Sequence, residues 1–227
     1  YTYAPYHLAD AYLRGAVPEY AAFIFPPLIL WAYSAAFRRD NPWPALLWGT
    51  LAWAGLVLTH NLTALMMAPV AAAQLLVLAA VTGKWRRLAG AAGSLLLAIA
   101  VTAVYWLPVL AESGAVGLGL GPSRGYADHM LTASTLLRRS LSYFAGASEV
   151  LGRIYPLSWF ALALVGLVAL LLLVRWRQRQ LPDRWTDAVF HVGVALAAMV
   201  MTTVVALPLW DLLKPLLGNL QYPWRFL

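Results

Sequence analysis

Cysteine is absent from the 227 residues, so disulfide frameworks, thiolate metal sites and cysteine nucleophiles are excluded. Charge is scarce as well. Only 11% of residues are Asp, Glu, Lys or Arg, and only nine are acidic. A soluble domain carries about 25% charged and about 45–50% apolar residues. This chain is 62% hydrophobic, with a mean hydropathy of +0.71. It has too little polar surface to coat a water-soluble globule, which excludes a soluble enzyme domain, a disordered chain and a fibrous repeat. No HExxH or GxSxG motif occurs, and no carboxylate-rich metal motif. No initiator Met or charged n-region precedes the first apolar run, so nothing resembles a cleavable signal peptide. The chain begins at Tyr1 and stops at Leu227 after a charged aromatic cluster, and it reads as a piece of a longer protein.

What is present is long apolar sequence. A membrane span needs roughly 20 apolar residues to cross about 30 Å of hydrocarbon. The expected fold class is all-α, a polytopic transmembrane helical bundle with outer-face interfacial helices. Six spans are expected, over about 20–37, 43–59, 62–82, 88–110, 156–174 and 188–209. The second and third form a hairpin whose polar point is Thr59-His60-Asn61. Pro26-Pro27 is expected to interrupt the first span and Pro69 the third. Trp43, Trp85, Trp106, Trp159, Trp176, Trp185 and Trp210 fall near span ends, where indoles prefer the interface.

Orientation follows from the basic residues. Arg38, Arg39, Lys84, Arg86, Arg87, Arg175, Arg177, Arg179 and Arg184 lie in three short loops, at 38–44, 83–87 and 175–187. Those loops are expected to be cytoplasmic, in an inner or plasma membrane. The amino-terminal segment, the His60-Asn61 tip, a long loop at 111–155 and the carboxy-terminal segment then lie outside. Most of the net charge of +7 falls on the inner side, against anionic lipid, so it needs no nucleic acid.

The candidate site residues are the polar groups left outside. His7, Asp10 and Arg14 share one helical face, and Asp10 to Arg14 is a favourable i, i+4 pair. They suggest an interfacial helix ending near Pro18, with Glu19 at the membrane entry. An arginine there could grip phosphate and an acid could orient or deprotonate a hydroxyl; a solvated helix with a surface ion pair fits equally. His60 and Asn61 are either a helix-end turn or a hydrogen-bonding pair for substrate. In the long loop, GAVGLGLGPSRG lacks the Gly-Lys-Ser/Thr of a phosphate loop, so nucleotide binding is rejected. An amphipathic helix is expected at 131–144, with Arg138 and Arg139 placed to meet lipid phosphate. Asp128-His129 is a weak acid–base candidate. Arg225, in the Gln221-Tyr222-Pro223-Trp224-Arg225 run, is either an aromatic–arginine anchor or a phosphate ligand.

Several phrases occur together in order: Tyr3-Ala4-Pro5-Tyr6, then Ala11-Tyr12-Leu13-Arg14-Gly15-Ala16-Val17-Pro18-Glu19, then Thr59-His60-Asn61, then Gln221-Tyr222-Pro223-Trp224-Arg225-Phe226-Leu227. In these the chain resembles bacterial multi-pass membrane proteins labelled as related to 6-pyruvoyl-tetrahydropterin synthase, although nothing in the residues suggests pterin chemistry. That family in turn resembles the C-type glycosyltransferases, which use polyprenyl-phosphate sugars at the outer membrane face. The resemblance implies a polyprenyl-phosphate sugar donor, a saccharide or protein acceptor, and membrane lipid as partners. It places the usual catalytic acid in a first outer loop ahead of this chain, so no residue here is assigned as catalytic. Asp10, Arg14, Glu19, His60, Asn61, Arg138, Arg139 and Arg225 stand as substrate- or phosphate-binding candidates. No cofactor is evident, and a divalent metal stays open for the full-length protein. The rival readings are a lipid-linked saccharide transporter or flippase, and a non-catalytic membrane scaffold. A transporter predicts charged residues in mid-span, and the spans hold almost none.

Overall fold

A computed structural model of the chain describes residues 11–12, 15–112, 125–132, 157–179 and 185–217. Among the described residues there is no strand, only an isolated parallel bridge between Leu131 and Thr203. The chain divides into two compact units, residues 14–121 and residues 1–13 with 122–227.

The first unit contains α1 (Val17–Ala22), α2 (Phe25–Arg38), α3 (Trp43–Thr59), α4 (Asn61–Thr82), α5 (Arg87–Val101) and α6 (Ala103–Glu112). A helix starts at Val17 with Pro18 in its first turn, and most of the interfacial helix expected ahead of it lies outside the described residues. Proline has no N–H to lose at that position and its fixed φ suits it. The same reason moves the expected interruption at Pro26-Pro27. Those prolines open α2, and the break lies at Phe23 and Ile24 instead. Pro69 does not break α4, which runs through it without interruption. A proline removes one hydrogen bond, and neighbouring turns of a membrane helix can absorb the loss.

α3 matches the expected second span at both ends, and α4 begins one residue before the expected third. The expected fourth span is not one straight helix: α5 and α6 are bent by 66°. Thr102 sits at the bend. Its hydroxyl donates to Ala98 O at 2.9 Å and Ile99 O at 3.1 Å, and Trp106 Nε1 donates to Ile99 O at 2.9 Å. These side chains supply partners for carbonyls at the end of α5, and threonine bonding back to the preceding turn bends helices.

The core of this unit is built from Ile29, Tyr33 and Phe37 of α2, Leu46, Trp53 and Leu56 of α3, Met67 and Leu78 of α4, and Ala91 and Ala98 of α5. Small residues let the helices approach closely. A Cβ on Gly49 would lie 3.3 Å from Ser94 Oγ, and one on Gly55 would lie 2.3 Å from the Phe25 ring. Polar bonds cross between helices inside this core. Thr50 Oγ1 donates to Ser94 O at 3.1 Å, and Ser94 Oγ donates to Leu46 O at 3.0 Å. Trp53 Nε1 donates to Tyr33 Oη at 2.9 Å, and Gln74 Nε2 donates to Leu30 O at 2.9 Å. At one end of the bundle, the Arg87 guanidinium donates to the main-chain carbonyls of Ala36, Arg39 (2.6 Å) and Asp40 (3.2 Å). It thereby satisfies carbonyls exposed where α2 stops.

The second unit contains α7 (Leu157–Arg177), α8 (Trp185–Met201), α9 (Leu207–Leu212) and α10 (Lys214–Leu217), with α7 packed on α8. The last expected span is shortened: α8 ends at Met201, not at residue 209. Thr202 and Thr203 bond back to Met199 O at 2.7 Å and Val200 O at 2.8 Å. A 3-10 turn at Val204–Ala206 follows, and Pro208 then starts α9. A 3-10 turn at Tyr126–His129 leads into the bridge at Leu131. The amphipathic helix expected at 131–144 lies outside the described residues beyond Thr132.

Two described helical stretches, Val17–Arg38 and Asn61–Thr82, are long and apolar enough to cross a membrane, with mean hydropathies of 1.5 and 2.2. The bent pair makes a third if it is one span. Trp43–Thr59 and Trp185–Met201 are apolar but shorter, at 17 residues each.

Candidate functional site

The first unit positions two of the sequence candidates at one end. The chain enters through α1 and α2, returns along α3 and turns back into α4, so the start of α2, the end of α3 and the start of α4 share that end. α1 packs on α3 there. Glu19 lies in the first turn of α1 and is only 4% exposed. It is the only charged side chain buried among the described residues. A carboxylate at a helix amino terminus is favoured by the helix dipole. Burying one is costly unless it is hydrogen-bonded or paired, and Glu19 is not without a partner there.

His60 forms the turn between α3 and α4 in extended backbone. Its Nδ1 accepts the Thr63 N–H at 3.2 Å and lies 2.7 Å from Thr63 Oγ1. His60 is therefore the amino-terminal cap of α4, the helix-end role that the sequence offered as one alternative. Accepting through Nδ1 puts the proton of the neutral ring on Nε2. Asn61 is the exposed first residue of α4. Asp10, Arg14, Arg138, Arg139 and Arg225 lie outside the described residues.

The second unit holds a polar cluster that sequence reasoning missed. Tyr126 Oη donates to Asp211 Oδ1 at 2.5 Å, across 85 positions of sequence. The Tyr126 ring stacks on Trp210 with centroids 5.1 Å apart, and Trp210 is fully buried. Trp210 Nε1 donates to Met201 O at 2.9 Å, where α8 ends. Main-chain bonds from Leu131 N to Thr202 O and from Val204 N to Leu131 O, both 2.9 Å, hold the two segments together. The Tyr126 hydroxyl is raised above its ordinary pKa, first because Asp211 holds its proton in a hydrogen bond, then through burial and the carboxylate charge. Asp128, one of the weak acid–base candidates, is exposed in the same turn and His129 is half-buried. The only prior signal for this cluster was polar Asp211 beside Trp210, which names no partner.

The described residues contain no group of three or more His, Asp or Glu able to hold a metal ion. The described residues thus offer a buried carboxylate at one end of the first unit, and in the second a carboxylate bound by a phenol.

Comparison with known families matches all of residues 1–227 to one of them, the 6-pyruvoyl-tetrahydropterin synthase related domain, a membrane protein family. No curated protein and no solved structure matches the chain. The chain belongs to that family and is a membrane protein, as the sequence phrases suggested.

Proposed function

We propose that this chain is the membrane region of an integral glycosyltransferase-like protein, moving a sugar from a polyprenyl-phosphate donor to an acceptor at the outer face of a bacterial inner membrane. The observation that carries the reading is Glu19, the one buried carboxylate among the described residues, at the end of the bundle that also holds His60. In this reading that end faces outward. Loops 38–44, 83–87 and 175–187 face the cytoplasm, and six helical segments span the bilayer. The basic end closed by Arg87 is on the inner side, in keeping with the distribution of lysine and arginine.

Transfer forms a bond from the acceptor oxygen to the anomeric carbon and breaks the bond from that carbon to the donor phosphate. The acceptor proton goes to a base, and polyprenyl phosphate leaves. Glu19 orients the acceptor hydroxyl, and His60 can offer Nε2–H to a donor or acceptor oxygen. Asp10, Arg14, Asn61, Arg138, Arg139 and Arg225 are kept, on sequence grounds alone, as the proposed substrate- or phosphate-binding residues. The acid that takes the proton belongs, on the family resemblance, to sequence ahead of this chain.

The test uses membranes from cells with and without the full-length protein, supplied with radiolabelled polyprenyl-phosphate sugar. Protein-dependent label in an acceptor is expected, and Glu19→Gln is expected to lower it by about tenfold to a hundredfold. Movement of intact donor across vesicles without any glycoside product would replace this reading with that of a carrier. Wild-type transfer by a Glu19→Gln, His60→Ala double variant would sink the site.

A further inference from the structure

At the end of the first unit opposite Glu19, a cavity of about 170 Å3 opens between the start of α3 and the start of α5. Its floor is Ala36, Leu46 and Gly90, and its rim is Pro42, Trp43, Arg86 and Arg87. Cavities that enclose a drug-sized molecule run to roughly 300–1,000 Å3, so this one suits a small group. Five cations surround it in sequence, Arg38, Arg39, Lys84, Arg86 and Arg87, against one carboxylate, Asp40.

These cations are differently committed. Arg87 holds three main-chain carbonyls. Arg38 Nε donates to Ser34 Oγ at 3.4 Å, and Arg39 lies over the Trp31 ring at 5.7 Å from its centroid. Arg86 is exposed on the cavity rim and makes no ion pair among the described residues. Both helices that begin here present the positive ends of their dipoles, and neither has an acidic residue in its first turn. Trp43 is 71% exposed beside them, in the manner of an indole at the lipid headgroup level.

We infer that this cavity binds the headgroup phosphate of an anionic membrane phospholipid, with Arg86 as its charge partner and Trp43 against the glycerol region. The occupant is a lipid because the chain is a membrane protein and the cavity closes the end of its apolar helices. The phosphate meets Arg86 and the helix ends, and the acyl chains run down the exposed apolar flanks of α3 and α5, where Leu47, Leu51, Leu96 and Leu97 lie. This site is independent of the sugar-transfer reading, since it needs no donor and no Glu19.

Native mass spectrometry of the full-length protein in detergent, with equal additions of phosphatidylglycerol and phosphatidylcholine, tests it. Wild-type protein is expected to retain one phosphatidylglycerol in preference to phosphatidylcholine. Arg86→Gln is expected to weaken that retention about fivefold, and Arg86→Lys to keep most of it. Arg177→Gln, in the second unit, is expected to retain lipid as the wild type does. Equal retention of the two lipids, an equal loss in Arg177→Gln, or displacement by inorganic phosphate at the lipid's own concentration each overturns the proposal. If Arg86→Gln loses helix content by circular dichroism, the wild type decides. Its preference for phosphatidylglycerol must fall as salt rises, and a salt-independent preference overturns the site.

Discussion

The two units use polar side chains in opposite ways. In residues 14–121, polar groups tie helix to helix deep in the bundle, through Thr50 with Ser94, Trp53 with Tyr33, and Gln74 with Leu30 O. In the second unit only Met199 is buried among the described side chains of α7 and α8. Its polar contacts gather instead around the 125–132 segment, which meets Asp211 of α9 and the turn between α8 and α9. The difference teaches that apolar helices of similar composition can be secured either by their flanks or by their ends. Where flanks carry small residues such as Gly49 and Gly55, helices approach and exchange bonds. In α7 and α8 an added Cβ on Gly166 or Gly193 would meet nothing within 4 Å, and the polar contacts lie at the helix ends instead.

Four substitutions in the full-length protein would break or sharpen that contrast. The largest effect is expected from Arg87→Ala, which strips three carbonyls of a charged donor. It should cost about 3 kcal/mol, read as a lowered midpoint of chemical unfolding in detergent. An unchanged midpoint would mean that water replaces the guanidinium at no cost. Next is Gly55→Ala, which puts a methyl into the Phe25 ring and should cost about 1–3 kcal/mol. A double change with Phe25→Leu should recover part of that loss, and no recovery would show that the clash lies elsewhere. Thr50→Val should cost less, about 0.6–1.7 kcal/mol, because the alternative state in a bilayer also finds partners. A double-mutant cycle with Ser94→Ala isolates the pair.

The smallest effect belongs to the second unit. Tyr126→Phe should leave the helices of the first unit unaltered and remove one phenol that titrates above the usual value near 10. Asp211 favours the neutral phenol, so the raised pKa stabilises the fold below pH 10. That contribution is lost as pH rises through the folded-state pKa. Absorbance at 295 nm across alkaline pH checks it: Asp211→Asn should return the late-titrating phenol to the ordinary range. If every tyrosine titrates normally in the wild type, the Tyr126–Asp211 bond is not formed.

How far the fold was legible can be followed at particular residues. The hairpin at His60 was visible because a His-Asn pair in a long apolar run has nowhere to go but a helix end, and α3 stops and α4 begins beside it. The bend at Thr102 was not visible. Threonine is ordinary inside a membrane helix, and only its bonds to Ala98 and Ile99 mark the break. Pro69 misled in the other direction, because a proline signals a lost hydrogen bond but not whether the helix survives it. In the candidate site, His60 takes the helix-end role that was one of its two readings, and Glu19, expected at the membrane entry, lies in the first turn of α1. The burial of Glu19, which gives it weight, was not readable. Arg87 was counted with the basic residues facing lipid, and its guanidinium turned out to be committed to backbone carbonyls.

Composition and hydropathy by themselves determined that this is a helical membrane protein, because a chain so poor in charge can satisfy its backbone in lipid only through internal hydrogen bonds. They also set which segments are apolar, since burial in hydrocarbon depends on the local run of side chains alone. Only the tertiary structure decided where those helices bend, which carboxylate is buried, that Tyr126 finds Asp211, and which arginine stays uncommitted at the Trp43 rim. Each of those depends on groups distant in sequence meeting at hydrogen-bond range, and no local pattern encodes such a meeting.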